Sequence, residues 1–201
     1  MRVVIPFDAN EPKSRLAPVL DRSERREFAE AMLQDVAAAV REAGRTPEVL
    51  TTGPIAVDAA ITIDERALTP LVNDAIDAGT PLAVVMADLA LATPSTLRQL
   101  FGADGDVVVA PGRAAGTNAL VVRDPAFRVD YHGASFSDHL HQAREVGASV
   151  REFDSFRLST DVDDPADLLE VLVHGDGAAT RWLREAGFRV EMEGGEPRPV
   201  R

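Results

Sequence analysis

Short apolar runs recur along this chain, and between them lie segments whose apolar residues return every three or four positions. Met1 to Pro6, Glu48 to Thr52, Leu82 to Met86, Asp106 to Ala110, Asn118 to Val122 and Ser149 to Phe153 read as strands, with Ile61 to Ile63 as a shorter one. Several are apolar on both faces, as strands covered by helices on both sides must be. The intervening segments carry helix signals. Asp21 to Glu24 has capping-box spacing, and Phe28, Met32, Leu33, Val36 and Val40 then share one face until Gly44. Leu71, Val72, Ala75 and Ile76 end at Gly79, and Thr93-Pro94 opens a helix to about Phe101. Helices are also predicted over Ser135 to Val146, Asp164 to Val173 and Thr180 to Ala186. Strand and helix in alternation predict an α/β fold, a single doubly wound, mostly parallel sheet with Leu82 to Met86 at its centre. One domain is expected over residues 1–193. Phe188 to Met192 reads as an edge strand, and the Gly/Pro-rich residues 194–201 as a flexible tail.

The 201 residues are 45% hydrophobic, which suffices for one such domain with a substantial core. The formal net charge is -12, an acidic balance that argues against nucleic acid as a partner. An acid-rich, lysine-poor surface suits a halophilic, high-salt cytoplasm, where the Debye length falls to roughly 3 Å and like charges hardly repel. There is no cysteine, so disulfides and thiolate metal sites are excluded and a cytoplasmic location is expected. The longest apolar stretch, Leu82 to Ala92, contains Asp88 and is too short to span a membrane.

In doubly wound sheets ligands bind where loops leave the carboxyl ends of strands. After the first strand comes Pro12-Lys13-Ser14-Arg15-Leu16, and Lys13 is the only lysine in the chain. An ammonium on a flexible stem and a forked guanidinium suit a triphosphate, against the plainer reading of a solvated basic loop. Asp88 ends the predicted central strand, where a carboxylate would face the ligand crevice as a Mg²⁺ ligand or cap the next turn. In Asp161-Val162-Asp163-Asp164-Pro165, Asp164 is explained as a helix cap. Asp161 and Asp163 share a face if the segment is extended, which makes them a second half of a metal site or simply an acidic turn. Gly116-Thr117-Asn118 follows a small-residue loop that would let N–H groups and the Thr117 hydroxyl meet an anion, with Arg113 as a further cation or a solvated residue. His132-Gly133-Ala134-Ser135 opens a helix, and Ser135 is a cap or a ligand contact. Asn73 could read a ribose or base, or cap locally. His139 and His141 read as satisfied helix residues. Neither a P-loop nor a dinucleotide fingerprint is present.

PKSRL at 12–16, VNDAI at 72–76, VVMADL at 84–89, GTNAL at 116–120, HGASFSDH at 132–139 and DVDDPADL at 161–168 occur in the order found in 2-phospho-L-lactate guanylyltransferases of the archaeal type. The chain resembles that family over roughly residues 1–173. The resemblance implies a Rossmann-like fold of the glycosyltransferase-A and nucleotide-diphospho-sugar transferase kind. It implies GTP plus 2-phospho-L-lactate giving lactyl-diphospho-guanosine and pyrophosphate, in coenzyme F(420) biosynthesis. It further implies Mg²⁺ on Asp88, Asp161 and Asp163, with Lys13 and Arg15 on the nucleotide phosphates. Thr117, His132 through its backbone, and Ser135 would hold the phospho-acid. A homodimer and a downstream transferase taking the product are expected as well. Where some relatives carry D-x-D, this chain has Met86 and Asp88. The alternatives are a nucleotidyltransferase for phosphoenolpyruvate, 3-phosphoglycerate, a sugar phosphate or molybdopterin, and a non-catalytic nucleotide-binding domain.

Overall fold

The computed structural model describes all residues, 1–201. Its main sheet has seven strands: β1 (Arg2–Phe7), β2 (Pro47–Thr51), β3 (Ala60–Ile63), β4 (Leu82–Val85), β5 (Val107–Pro111), β6 (Thr117–Val122) and β7 (Val150–Glu152). They lie in the order β3-β2-β1-β4-β6-β5-β7, with β4 in the middle as the sequence predicts. All neighbours pair in parallel except β6, which is antiparallel to both β4 and β5. The first strand runs one residue past Pro6. Beyond Val4 it pairs only with β2, where a missing N–H is tolerated.

Period-two alternation sorts the strand residues into two cores. Val3, Ile5, Ala83, Val85, Val108, Ala110, Ala119 and Val121 belong to a cluster of 36 buried residues. It is covered by α1 (Arg22–Glu42), α3 (Pro94–Gly102), α5 (Phe156–Ser159), α6 (Leu168–His174) and α7 (Ala178–Glu185). Val4, Leu82, Val84, Val107, Val109, Leu120 and Val122 face the other way, into a cluster of 17 under α2 (Leu68–Asp77) and α4 (Ser135–Glu145). The caps work as the sequence suggests. Asp21 accepts the Glu24 N–H while Glu24 accepts the Asp21 N–H, and the Thr93 side chain accepts from Thr96 ahead of Pro94.

The expected loose tail is instead a strand. β8 (Arg189–Glu193) and β9 (Glu196–Val200) form an antiparallel hairpin. Gly194 and Gly195 both have positive φ, 62° and 91°, as a tight two-residue hairpin turn requires. Pro197 and Pro199 alternate with Glu196, Arg198 and Val200, so the missing N–H groups fall on alternate pairs where an antiparallel ladder needs none. Arg201 closes the end by ion pairing with Glu24 and lying over the Phe188 ring. No helix is long and apolar enough to cross a membrane.

Candidate active site

The chain goes from β1 to β2 and β3 on one side, then crosses to β4 on the other. The carboxyl ends of β1 and β4 therefore flank the point where the winding reverses, the usual place for a ligand in such a sheet. A cleft of ≈ 200 Å³ lies there, lined among others by Phe7, Asp8, Lys13, Met86 and Asp88. Because β6 is antiparallel, its amino end arrives at the same edge. The Met86 N–H still donates to the Asn118 carbonyl at 3.0 Å, one residue beyond β4.

Lys13 is the hub of the first half of the site. Its backbone sits in the left-handed region, φ 54° and ψ 44°, just ahead of a 3-10 turn at Ser14–Leu16. That conformation costs a side-chain-bearing residue about 1 kcal/mol, and the ammonium's contacts offset it. Nζ donates to Asp88 Oδ2 at 2.6 Å and to Asp163 Oδ1 at 2.9 Å. Burial alone would lower the Lys13 pKa, but the two carboxylates outweigh it and hold it above the ordinary value. Arg15 pairs with the other oxygen of Asp163 and lies 3.8 Å from Asp164.

In the acidic loop Val162 is fully buried, while Asp161 lies near the Asp88 charge and Asp163 meets Lys13. The Val162 N–H is tied to the Asp88 carbonyl at 3.3 Å. Asp161 and Asp163 stand close enough for each to bear on the other's charge. Burial, only partly offset by the Asn118 amide, and then the Asp88 charge push Asp161 up. Asp163, although buried, is drawn down by Lys13 and then Arg15. Within the pair, Asp161 is thus the weaker acid.

The expected three-carboxylate metal set is not gathered into a ready ligand group. No three His, Cys, Asp or Glu side chains stand at metal-ligand spacing, because Lys13 Nζ lies between Asp88 and Asp163. The donors nonetheless fit a hard divalent cation. Asp88 Oδ1 is buried with no hydrogen-bond partner, and Asp161 and Asp163 crowd beside it. An acceptor left so exposed to its own desolvation cost marks a place for a ligand.

The second half of the site is built on β6. Between Ala110 and Pro111 the pairing of β5 with β6 shifts, so that Ala110 faces Ala119 but Pro111 faces Thr117. This bulge reverses the alternation for the last two residues of the strand end. Thr117 turns to the α4 side and Asn118 to the other. The Asn118 amide donates to the Leu158 carbonyl at 2.9 Å and to Asp161 Oδ1 at 3.1 Å. Room for it comes from Gly112, where a Cβ would stand 2.5 Å from Asn118 Oδ1. Glycine in this loop therefore admits a neighbouring side chain, a role the sequence does not announce.

Thr117 donates its N–H to Ser135 Oγ at 3.1 Å, and its Oγ1 lies 2.9 Å from His139 Nδ1. Ser135, Thr117 and His139 are all buried. Ser135 is the first residue of α4, whose N-cap Ala134 has no side-chain cap bond. It is thus a partner of Thr117 rather than a cap.

Three sequence candidates have side chains engaged by the protein itself. Asn73 is engaged by the backbone of Val129, donating to its carbonyl at 3.1 Å and accepting its N–H at 2.9 Å, and so fastens α2 to the segment before α4. Arg113 is neither free nor merely solvated, for Asp167 Oδ1 holds it at 2.5 Å. The other oxygen of Asp167 accepts the N–H groups of Asp163 and Asp164, so Arg113 braces the acidic loop. The His132 side chain is exposed and paired with Asp130, a pairing that does not involve the backbone group expected to meet the phospho-acid. The sequence alone does not mark Asn118 and His139 as site residues. Only the four-residue step from Ser135 to His139, one helical face, could have flagged the latter.

Comparison with known proteins gives a consistent answer. A family model described as "Guanylyl transferase CofC like" matches residues 1–200. A 2-phospho-L-lactate guanylyltransferase of Halomicrobium mukohataei is 58% identical over 97% of this chain and 97% of its own length. The one from Haloferax volcanii is 56% identical over 100% and 98%. Among solved structures, one from Desulfovibrio desulfuricans G20 assigned as a nucleotide-diphospho-sugar transferase superposes with TM-score 0.68 at 15% identity, covering 93% of this chain and 96% of that one. A cytidylyltransferase from Leptospira borgpetersenii gives 0.52 at 9% identity, with 92% and 93% covered; both show the fold. With a nucleotidyltransferase sheet, a cation–carboxylate cluster at its switch point and relatives of this closeness, the chain belongs to the CofC-like guanylyl transferases.

Proposed function

We propose that this enzyme condenses GTP with 2-phospho-L-lactate, giving lactyl-2-diphospho-5'-guanosine and pyrophosphate, a step toward coenzyme F(420). The observation that carries the reading is the convergence of Lys13, Asp88 and Asp163 at one edge of the sheet, joined through Asp161 and Asn118 to the strand that carries Thr117. Full-length relatives that bear this name support it. The acidic net charge is no obstacle, because the cations that matter are concentrated locally.

A phosphate oxygen of the acid attacks the α-phosphorus of GTP in line. The new P–O bond forms as the bond from the α-phosphorus to the bridging oxygen breaks, and pyrophosphate leaves with that electron pair. The attacking phosphate is already ionised near neutral pH, so no general base is needed. The protein contributes position and charge. Lys13 and Arg15 exchange their carboxylate contacts for the β- and γ-phosphates and ease the departure of pyrophosphate. Thr117 and Ser135 hold the phospho-acid. Asp88, with Asp161 and Asp163, would hold Mg²⁺, which supplies neutralisation of the charge developing on the α- and β-phosphates.

The test is pyrophosphate release at high salt from a panel of 2-phospho-L-lactate, phosphoenolpyruvate and 3-phosphoglycerate, each with GTP or ATP. The expected result is the highest kcat/KM with phospholactate and GTP. Release that is equal with ATP, or confined to another acid, would reassign the substrate. GTP binding without any release would make this a non-catalytic member.

A further inference from the structure

His139 is buried, and both of its ring nitrogens are in use. The backbone N–H of Asp130 lies 3.0 Å from Nε2. An amide N–H can only donate, so Nε2 carries no proton and the ring is neutral. The ring proton is therefore on Nδ1, which faces Thr117 Oγ1 at 2.9 Å. Thr117 Oγ1 must be the acceptor in that bond, and its own proton has no protein acceptor. Ser135 is in the same state. Its Oγ accepts the Thr117 N–H, and its O–H is left over.

Each of the two hydroxyls thus accepts one hydrogen bond from within the protein and keeps a proton with no protein acceptor. That is a donor pair for an anion. Had the imidazole taken the other tautomer, Thr117 would donate backwards and present lone pairs to the same anion. Surrounding groups hold the ring as it is. Tyr131 and Phe127 pack edge-on against it, with centroids at 5.0 and 6.0 Å. Burial keeps it neutral, pushing its pKa down to about 4 despite the nearby Asp138 and Asp130.

We infer that His139 is a positioning residue, whose Nδ1–H turns the Thr117 hydroxyl into a donor to the phosphate or carboxylate of the phospho-acid. The inference rests on the phospho-acid reading given above. It also gives the buried histidine a task in substrate selection and none in proton transfer.

Steady-state pyrophosphate release with 2-phospho-L-lactate and GTP tests it. Wild-type turnover comes first; no release with any phospho-carboxylate removes the substrate reading, and this inference with it. Given turnover, His139→Leu is expected to raise KM for the acid about tenfold, the loss of one hydrogen bond to a charged group. KM for GTP stays unchanged. His139→Gln, whose amide offers a donor and an acceptor, recovers most of the affinity. Thr117→Val gives the same KM rise, and adding His139→Leu to it changes nothing more. The inference is overturned by an unchanged KM for the acid, by an equal rise for GTP, or by additive effects in the double variant. Should His139→Leu fail to fold, the same decision follows from His139→Gln with Thr117→Val: Gln at wild-type KM supports the donor role, and Gln as poor as Thr117→Val ends it.

Discussion

The two halves of the candidate site, an ionic wall and a neutral one, are built on opposite principles. On the wall facing the larger core, Lys13 and Arg15 meet Asp88, Asp161 and Asp163, and the groups are held by charge. On the wall facing α4, Thr117, Ser135 and His139 are neutral and hold one another by directed hydrogen bonds. The ionic wall can exchange partners. An ammonium bound to two carboxylates leaves them at moderate cost when a triphosphate and a divalent cation offer better ones. The neutral wall has nothing to exchange, because its two hydroxyl protons have no protein acceptor to give up. A reaction that moves charge across GTP while keeping a small acid still asks for this division of labour. The bulge at Thr117 and Asn118 makes it possible, sending adjacent side chains to opposite walls.

The largest effect should come from Asp88. Asp88→Asn keeps the shape but removes the charge beside a buried, unpartnered oxygen. We expect kcat to fall by about 10³-fold, with little change in KM for the phospho-acid and a retained cooperative melt. Turnover within threefold of wild type would show that this wall is not catalytic, and the contrast would collapse. Next is Lys13→Ala, which leaves the carboxylates without their buried cation. Stability in dilute Mg²⁺-free buffer should fall by roughly 3 kcal/mol. Mg²⁺ should raise the melting temperature of this variant more than that of wild type, since ion and ammonium compete for the same oxygens. A melting temperature indifferent to Mg²⁺ in both proteins would remove the metal assignment.

Much of this molecule is legible in its sequence. Parallel strands carry apolar residues on both faces, so periodicity and caps such as Asp21–Glu24 and Thr93-Pro94 locate the elements and the central strand. The ionic wall is legible too, because a lone lysine and strand-end aspartates are conspicuous in composition. The neutral wall is harder to read. Its geometry depends on a bulge, and a one-residue shift in pairing leaves no mark on the sequence while reversing the face of every residue beyond it. Asn73 and Arg113 look like ligands for the same reason that they serve the scaffold: a polar side chain at a helix start or loop fits backbone groups as well as it fits substrate. The Gly/Pro tail misleads because glycine pairs also make tight hairpin turns, and prolines are tolerated at alternate positions of a two-stranded ribbon.

The smallest expected effect separates the walls by pH. His139 titrates near 6.5 when unfolded and is pushed down to about 4 by burial in the folded protein. Between those values the unfolded chain binds the proton and the native one does not, so stability is complete above pH 6.5 and is lost as pH falls toward 4. At pH 5 the loss from this one group amounts to about 2 kcal/mol. His139→Gln cannot be protonated there, so the stability difference between wild type and variant should shift by that amount from pH 7.5 to 5 in chemical denaturation at constant salt. Other titrating groups, including Asp161 and Asp163, are common to both proteins and largely cancel in the difference. A flat difference would mean that the ring is solvated and its tautomer free, and the neutral wall would lose the preorganisation that sets it apart from the ionic one.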